Sequence, residues 1–123
     1  MSLLLDACII IDALRMRLPA MSLIRSQTSP LHISVIALLE VRISERGDRE
    51  REALDAIIAG SVIQDVTLET AELAGDFMRR YRRSHAIDMA DALIAATARQ
   101  HGLRLATLNV KHFPMLPGLA AAY

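Results

Sequence analysis

The sequence predicts an α/β fold with a central, mainly parallel sheet flanked by helices. Short apolar runs alternate with amphipathic helical patterns from end to end, and no Asn-Gly or Asp-Gly hairpin signal joins neighbouring runs. The opening run, Leu3-Leu4-Leu5, is apolar without alternation, as suits a strand buried on both faces, although Leu also suits the start of a helix. Asp6 ends that run, and open α/β sheets bind ligands beyond the carboxyl ends of their strands.

Composition bounds the rest. At 123 residues the chain suits one domain, residues 1–123, and it has no internal repeat, low-complexity tract or linker. It is 53% hydrophobic with two Tyr, two Phe and no Trp, so the expected core is aliphatic. Fourteen basic residues balance fourteen acidic ones, so any nucleic-acid binding must use a local patch. The one cysteine, Cys8, excludes an internal disulfide. Apolar stretches are too short for a transmembrane helix and no secretory signal is evident, so the expected location is cytoplasmic.

The elements follow in order. Ala7 to Leu14 reads as a helix or tight turn with Asp12 on a solvated side; Arg15, Arg17 and Pro19 mark a loop, and Ala20 to Arg25 a brief helix. Leu31 to Ser34 is a second strand, after which Ser34 caps a helix to about Arg46, with Gly47 just beyond. On that helix Glu40 falls among Ile36, Ala37, Val41 and Ile43 and is expected to be partly buried. Asp48 opens a helix with Ala53, Leu54, Ile57 and Ile58 as its buried stripe and Arg49, Glu50, Arg51 and Glu52 as its solvated face.

Val62 to Val66 reads as a strand, and Thr67 caps a long helix to Arg83. Its core stripe is Leu68, Ala71, Leu73, Ala74, Phe77, Met78 and Tyr81. Arg79, Arg80, Arg82 and Arg83 close it, either complementing the helix dipole or contacting phosphates. A further helix runs from about Asp88 to Gln100, with Gly102 after it, and Leu103 to Thr107 is a strand. Residues 108–113 form a loop, and a last short strand lies near Leu119 to Ala122.

The chain is organised around Ile87 to Ala98, I-D-M-A-D-A-L-I-A-A-T-A, where Asp88 and Asp91 share one helix face. Their neighbours are apolar, so the carboxylates need compensation for lost water. Either Asp88 is the N-cap with Asp91 in the first turn, or the two join further acids. Asp6, Glu40, Asp88 and Asp91 all stand near strand ends or on apolar helix faces. Clustered carboxylates raise one another's pKa unless a cation neutralises them. With oxygen donors and no paired Cys or His motif, the set suits Mg²⁺ or Mn²⁺ rather than structural zinc. His32, His85, His101 and His112 are scattered and suit surface or capping positions.

Four stretches carry a resemblance: L-L-L-D-A-C-I-I-I-D, I-S-V-I-A-L-L-E, D-A-L-I-A-A-T-A and L-A-T-L-N-V-K-H-F-P-M-L-P-G-L. In this order, over nearly the whole chain, they resemble the PIN-domain ribonucleases and, within them, the VapC toxins of bacterial toxin–antitoxin pairs. The resemblance implies a three-layer PIN-like fold. It also implies a metal-dependent endoribonuclease that hydrolyses RNA phosphodiester bonds to a 5′-phosphate and a 3′-hydroxyl. Asp6, Glu40 and Asp91 then match the catalytic, metal-holding acids, and Asp88 is an auxiliary ligand or only a cap. Asn109 stands where many members carry a fourth acid, and Thr107 and Ser34 match small hydroxyl residues near the site. Arg79, Arg80, Arg82 and Arg83, or Arg15 and Arg17, would hold the RNA backbone. A homodimer and a VapB-like antitoxin covering the acids are further implications.

Ala7 and Cys8 depart from the family pattern, which commonly has a hydroxyl residue and then a polar one after the first acid. Losing such partners weakens metal affinity or activity by roughly ten- to a hundredfold. Ala7, Cys8 and Asn109 thus favour a second reading, a PIN-like module that binds RNA or a partner without cutting. A phosphoryl-accepting enzyme built on Asp6 fits poorly, because Cys8 stands where such enzymes want a second Asp.

Overall fold

Four short strands, β1 (Leu3–Leu5), β2 (Leu31–Ser34), β3 (Ser61–Gln64) and β4 (Arg104–Ala106), form one sheet in a computed structural model that describes residues 1–123. All pairings are parallel, in the order β3-β2-β1-β4. Parallel neighbours need crossover connections. These are supplied by α1 (Ala7–Leu14), α2 (Leu18–Arg25), α3 (Val35–Ser44), α4 (Gly47–Ala59), α5 (Leu68–His85) and α6 (Met89–Gln100). A 3₁₀ turn, Val110–His112, follows β4. No helix is long and apolar enough to cross a membrane.

Strand β1 is central, and its three leucines are essentially inaccessible to water. Burial of each contributes about 1.5–3 kcal/mol, so the run is an anchor strand rather than a helix start. Register then fixes the site. Leu4 lies opposite His32 and Leu5 opposite Ala106. One step further along, Asp6 emerges between Ser34 and Thr107 at the carboxyl edge. Four helices begin there or nearby on side-chain caps: Asp6 for α1, Ser34 for α3, Thr67 for α5 and Asp88 for α6.

Several expectations need correction. Pro19 does not mark a loop; it sits in the first turn of α2, where its missing N–H has no helical partner to lose. Helix α3 stops at Ser44, and Gly47, at φ +75°, opens α4 instead of trailing α3. Leu68 and Ala71 are exposed, because α5 turns Thr70, Ala74 and Phe77 inward. Asp12 is half-buried, ion-paired to Arg17 at 3.4 Å and accepting the Tyr123 hydroxyl at 2.6 Å.

Glu50 is the largest surprise. It is buried rather than solvated, since it lies one turn before Leu54 on the inward face of α4. Its carboxylate accepts the Arg46 N–H at 2.9 Å and faces Arg49 at 3.6 Å and Arg15 at 4.0 Å. The last strand does not form. Residues 119–122 leave an apolar cavity of about 450 Å³ between themselves and β4, and only the Ala122 N–H reaches across, to the Thr107 carbonyl at 2.9 Å.

Candidate active site

Asp6 is buried yet keeps a polar surround. Its Oδ1 accepts the Ala7 N–H at 2.8 Å, which caps α1. Its Oδ2 accepts the Thr107 hydroxyl at 2.6 Å and the Cys8 thiol at 3.7 Å. Thr107 Oγ1 in turn accepts the Asn109 N–H at 3.0 Å, so its proton is directed at Asp6. The Cys8 thiol stays protonated: burial pushes it up, and the nearby Asp6 charge adds to that.

Asp88 and Asp91 form a capping box at the start of α6. Asp88 Oδ1 accepts the Asp91 N–H at 2.8 Å, and Asp91 Oδ2 accepts the Asp88 N–H at 3.2 Å. Asp88 is therefore the N-cap, one of the two expectations for it. Burial pushes the Asp91 carboxyl up to about 6; the Asp88 N–H opposes this, and the Asp88 charge reinforces it. His112 Nδ1 lies 3.6 Å from Asp91 Oδ2 and works the other way.

Glu40 is exposed, not the partly buried acid expected, because α3 turns Ala37 and Val41 inward and Leu39, Glu40 and Ile43 outward. Its carboxyl is nevertheless pushed up. Partial desolvation is the larger cause, followed by the charges of Asp6, Asp88 and Asp91. Four acids from β1, α3 and α6 thus share one electrostatic field. As the side chains stand, no three of them enclose a metal-binding point, and Asp6, Asp88 and Asp91 are engaged in capping bonds. The donor set itself is all oxygen, with the His112 imidazole and the protonated Cys8 thiol beside it.

The supporting residues divide. Ser34 is buried at the β2 end, and its hydroxyl accepts the Ile36 N–H at 3.1 Å rather than bonding Asp6. Asn109 contributes its backbone N–H, while its exposed side chain makes no hydrogen bond. Arg79 is ion-paired with Asp76, and the Arg80 guanidinium lies 5.6 Å over the Tyr81 ring. Arg82 and Arg83 are exposed in the last turn of α5. Arg15 and Arg17 are committed to Glu50 and Asp12. His112 is exposed, as its surface or capping pattern suggests, but its pairing with Asp91 has only one signal in the sequence, its place in the loop leaving β4.

Ribonuclease VapC10 of Mycobacterium tuberculosis is 48% identical over 91 residues, which cover 73% of this chain and 68% of that protein. Ribonuclease VapC19 of the same species is 48% identical over 80 residues, 63% of this chain and 64% of that protein. The PIN domain family model matches residues 3–114. The chain belongs to the PIN-domain family, in its VapC branch. This PIN domain is also similar in structure to a toxin–antitoxin complex from Klebsiella pneumoniae, with a TM-score of 0.83 at 27% identity, covering 99% of this chain and 98% of that one. A sheet of four parallel strands with Asp6 at the end of the central one is thus the PIN arrangement in this chain.

Proposed function

We propose that this PIN domain is an endoribonuclease, the toxin of a toxin–antitoxin pair, and that Mg²⁺ or Mn²⁺ held by Asp6, Glu40 and Asp91 supports hydrolysis of RNA phosphodiester bonds. The observation that carries this is the gathering of acids at the carboxyl end of β1: after burial, the charges of Asp6, Asp88 and Asp91 all push the Glu40 carboxyl up. Oxygen-only donor sets of this kind suit hard divalent cations. Such an ion, when bound, supplies an acidified water and neutralises charge on phosphoryl oxygens.

The chain's own residues do the positioning. Thr107 and Cys8 hold the Asp6 carboxylate on one oxygen, and Asp88 orients Asp91 through the capping box while serving at most as an auxiliary ligand. His112 faces the same Asp91 oxygen that accepts the Asp88 N–H, Oδ2. Arg80, Arg82 and Arg83 supply cations for the RNA backbone. The reading includes a VapB-like antitoxin, a homodimer and a cytoplasmic setting; the named relatives and the toxin–antitoxin complex from Klebsiella pneumoniae support the pairing.

The test is cleavage of a mixed cellular RNA pool by antitoxin-free protein with Mg²⁺, Mn²⁺ or EDTA, beside Asp6→Asn and Asp91→Asn. Metal-dependent cutting at few sites, lost in both variants, supports the reading. The capping bonds that tie up Asp88 and Asp91 favour a second one, a module that binds RNA without cutting. A folded protein that binds RNA and never cuts it would select that alternative.

A further inference from the structure

The cations of this chain are unevenly committed. Six arginines are in ion pairs with acids of neighbouring or facing turns. Arg25, Arg46, Arg99 and Arg104, on other elements, are in none, and neither are Arg80, Arg82, Arg83 and Lys111, the one lysine. The last four belong to the end of α5 and the 3₁₀ turn, and between these elements lies an open cleft of about 600 Å³. Ser84, His85 and Ala86 wall one side; Val110, Lys111 and Pro114 wall the other.

His85 is exposed but fixed. Its Nδ1 lies 2.7 Å from Ser84 Oγ, and the Tyr81 ring meets it edge-on at 5.7 Å. Ala86 then turns the chain at φ +51°, a left-handed conformation that is costly for a residue with a Cβ. Strain of this sort is retained where the surrounding structure needs that shape. The turn delivers the chain to Asp88 two residues later. Across the cleft, Lys111 precedes His112, which pairs with Asp91. Both walls of the cleft therefore run on, within two residues, to the acid site: Ala86 to Asp88, and Lys111 to the His112 that faces Asp91.

A strand whose cut phosphate lies at the acids must place its flanking phosphates where cations are free, and this is the adjoining place. Single-stranded RNA is held by cations on phosphates and by planar side chains, histidine included, against its bases. We propose that this cleft is the subsite for the single-stranded RNA flanking the cut bond, with Lys111 on a backbone phosphate and the His85 ring stacked on a neighbouring base. The proposal rests on the ribonuclease reading.

The test uses full-length protein carrying Asp6→Asn, so that RNA stays intact, and a fluorescent 12-nucleotide RNA of mixed sequence read by anisotropy across KCl concentrations. Lys111→Gln is expected to reduce the slope of log affinity against log salt by about 0.7, one phosphate contact on a single strand. His85→Ala is expected to weaken binding roughly five- to a hundredfold, with His85→Phe restoring most of it, since stacking needs only a ring. Arg104→Gln, at the opposite end of the sheet, is the control and should change neither.

RNA bound with unchanged slope and affinity in Lys111→Gln and His85→Ala would overturn the cleft assignment and leave the ribonuclease reading intact. An equal loss in Arg104→Gln would overturn it as well, by showing a diffuse field. Polyglutamate bound as tightly as RNA, and weakened equally by Lys111→Gln, would make the occupant an acidic peptide. No RNA binding by any of these proteins would remove both the cleft and the reading beneath it.

Discussion

The Thr107 hydroxyl donates to Asp6 Oδ2 at 2.6 Å, joining residues 101 apart in sequence at the carboxyl ends of β4 and β1. Thr107→Val keeps the shape and deletes the proton, leaving a buried carboxylate short of one donor. Unfolding in urea should show a loss of about 1.5–3 kcal/mol. Single-turnover cleavage should fall about ten- to a hundredfold. Thr107→Ser should recover most of both.

Asp91 sets a pH dependence. Its ordinary value of 3.8 is pushed up to about 6 in the fold, so the folded protein holds that proton more tightly than the unfolded chain. The resulting contribution to stability is present below pH 3.8 and is lost as pH rises through 6. Asp91→Asn does not titrate, and its amide oxygen can still accept the Asp88 N–H. In EDTA, the melting temperature of Asp91→Asn relative to the parent should rise between pH 5 and pH 7.5. A constant difference across that range would contradict the assigned shift.

Much of this site was legible from short-range pattern. The unbroken Leu3-Leu4-Leu5 run and the acid ending it predicted a buried parallel strand with Asp6 at its carboxyl end. The spacing of Asp88 and Asp91 predicted a shared helix end. What the pattern lacked was orientation between elements. Glu50 reads as one of four alternating charges, and only the docking of α4 against the end of α1 makes it buried and Arg15 its partner. His112 meets Asp91, and Tyr123 meets Asp12, only because loop and tail are returned to helices distant in sequence.

Glu50 gives a direct contrast with its neighbour. Glu50→Gln leaves the buried Arg15 Nε, already without a hydrogen-bond partner, facing no charge. Truncating one member of a buried ion pair costs about 3–5 kcal/mol, and the partial exposure of Arg15 puts this case at or below the lower end. Glu52→Gln, on the exposed side of α4, should stay within about 0.5 kcal/mol. Equal effects in the two variants, measured by chemical denaturation, would return Glu50 to the solvated face.

The tail is tied down by the Tyr123 hydroxyl, which donates to Asp12; burial, that bond and the Asp12 charge together push the phenol up. Tyr123→Phe should cost about 0.5–1.5 kcal/mol. Combined with Asp12→Asn, the loss should be less than additive, because both variants delete the same contact. Through Ala122, the same tail holds the Thr107 carbonyl, so Tyr123→Phe should also lower the cleavage rate while leaving RNA affinity unchanged.

The most direct measurement pairs thermal melting with RNA cleavage in the same samples, titrated with Mg²⁺ after EDTA treatment, for the parent protein, Asp6→Asn and Asp91→Asn. If the acids form one cation site, Mg²⁺ at about a hundred times its Kd stabilises the parent by about 2.7 kcal/mol. Cleavage should appear over the same concentrations, and both variants should lose both responses. Cleavage that persists in Asp6→Asn and Asp91→Asn, with the Mg²⁺-induced shift intact, would mean that the chemistry resides elsewhere.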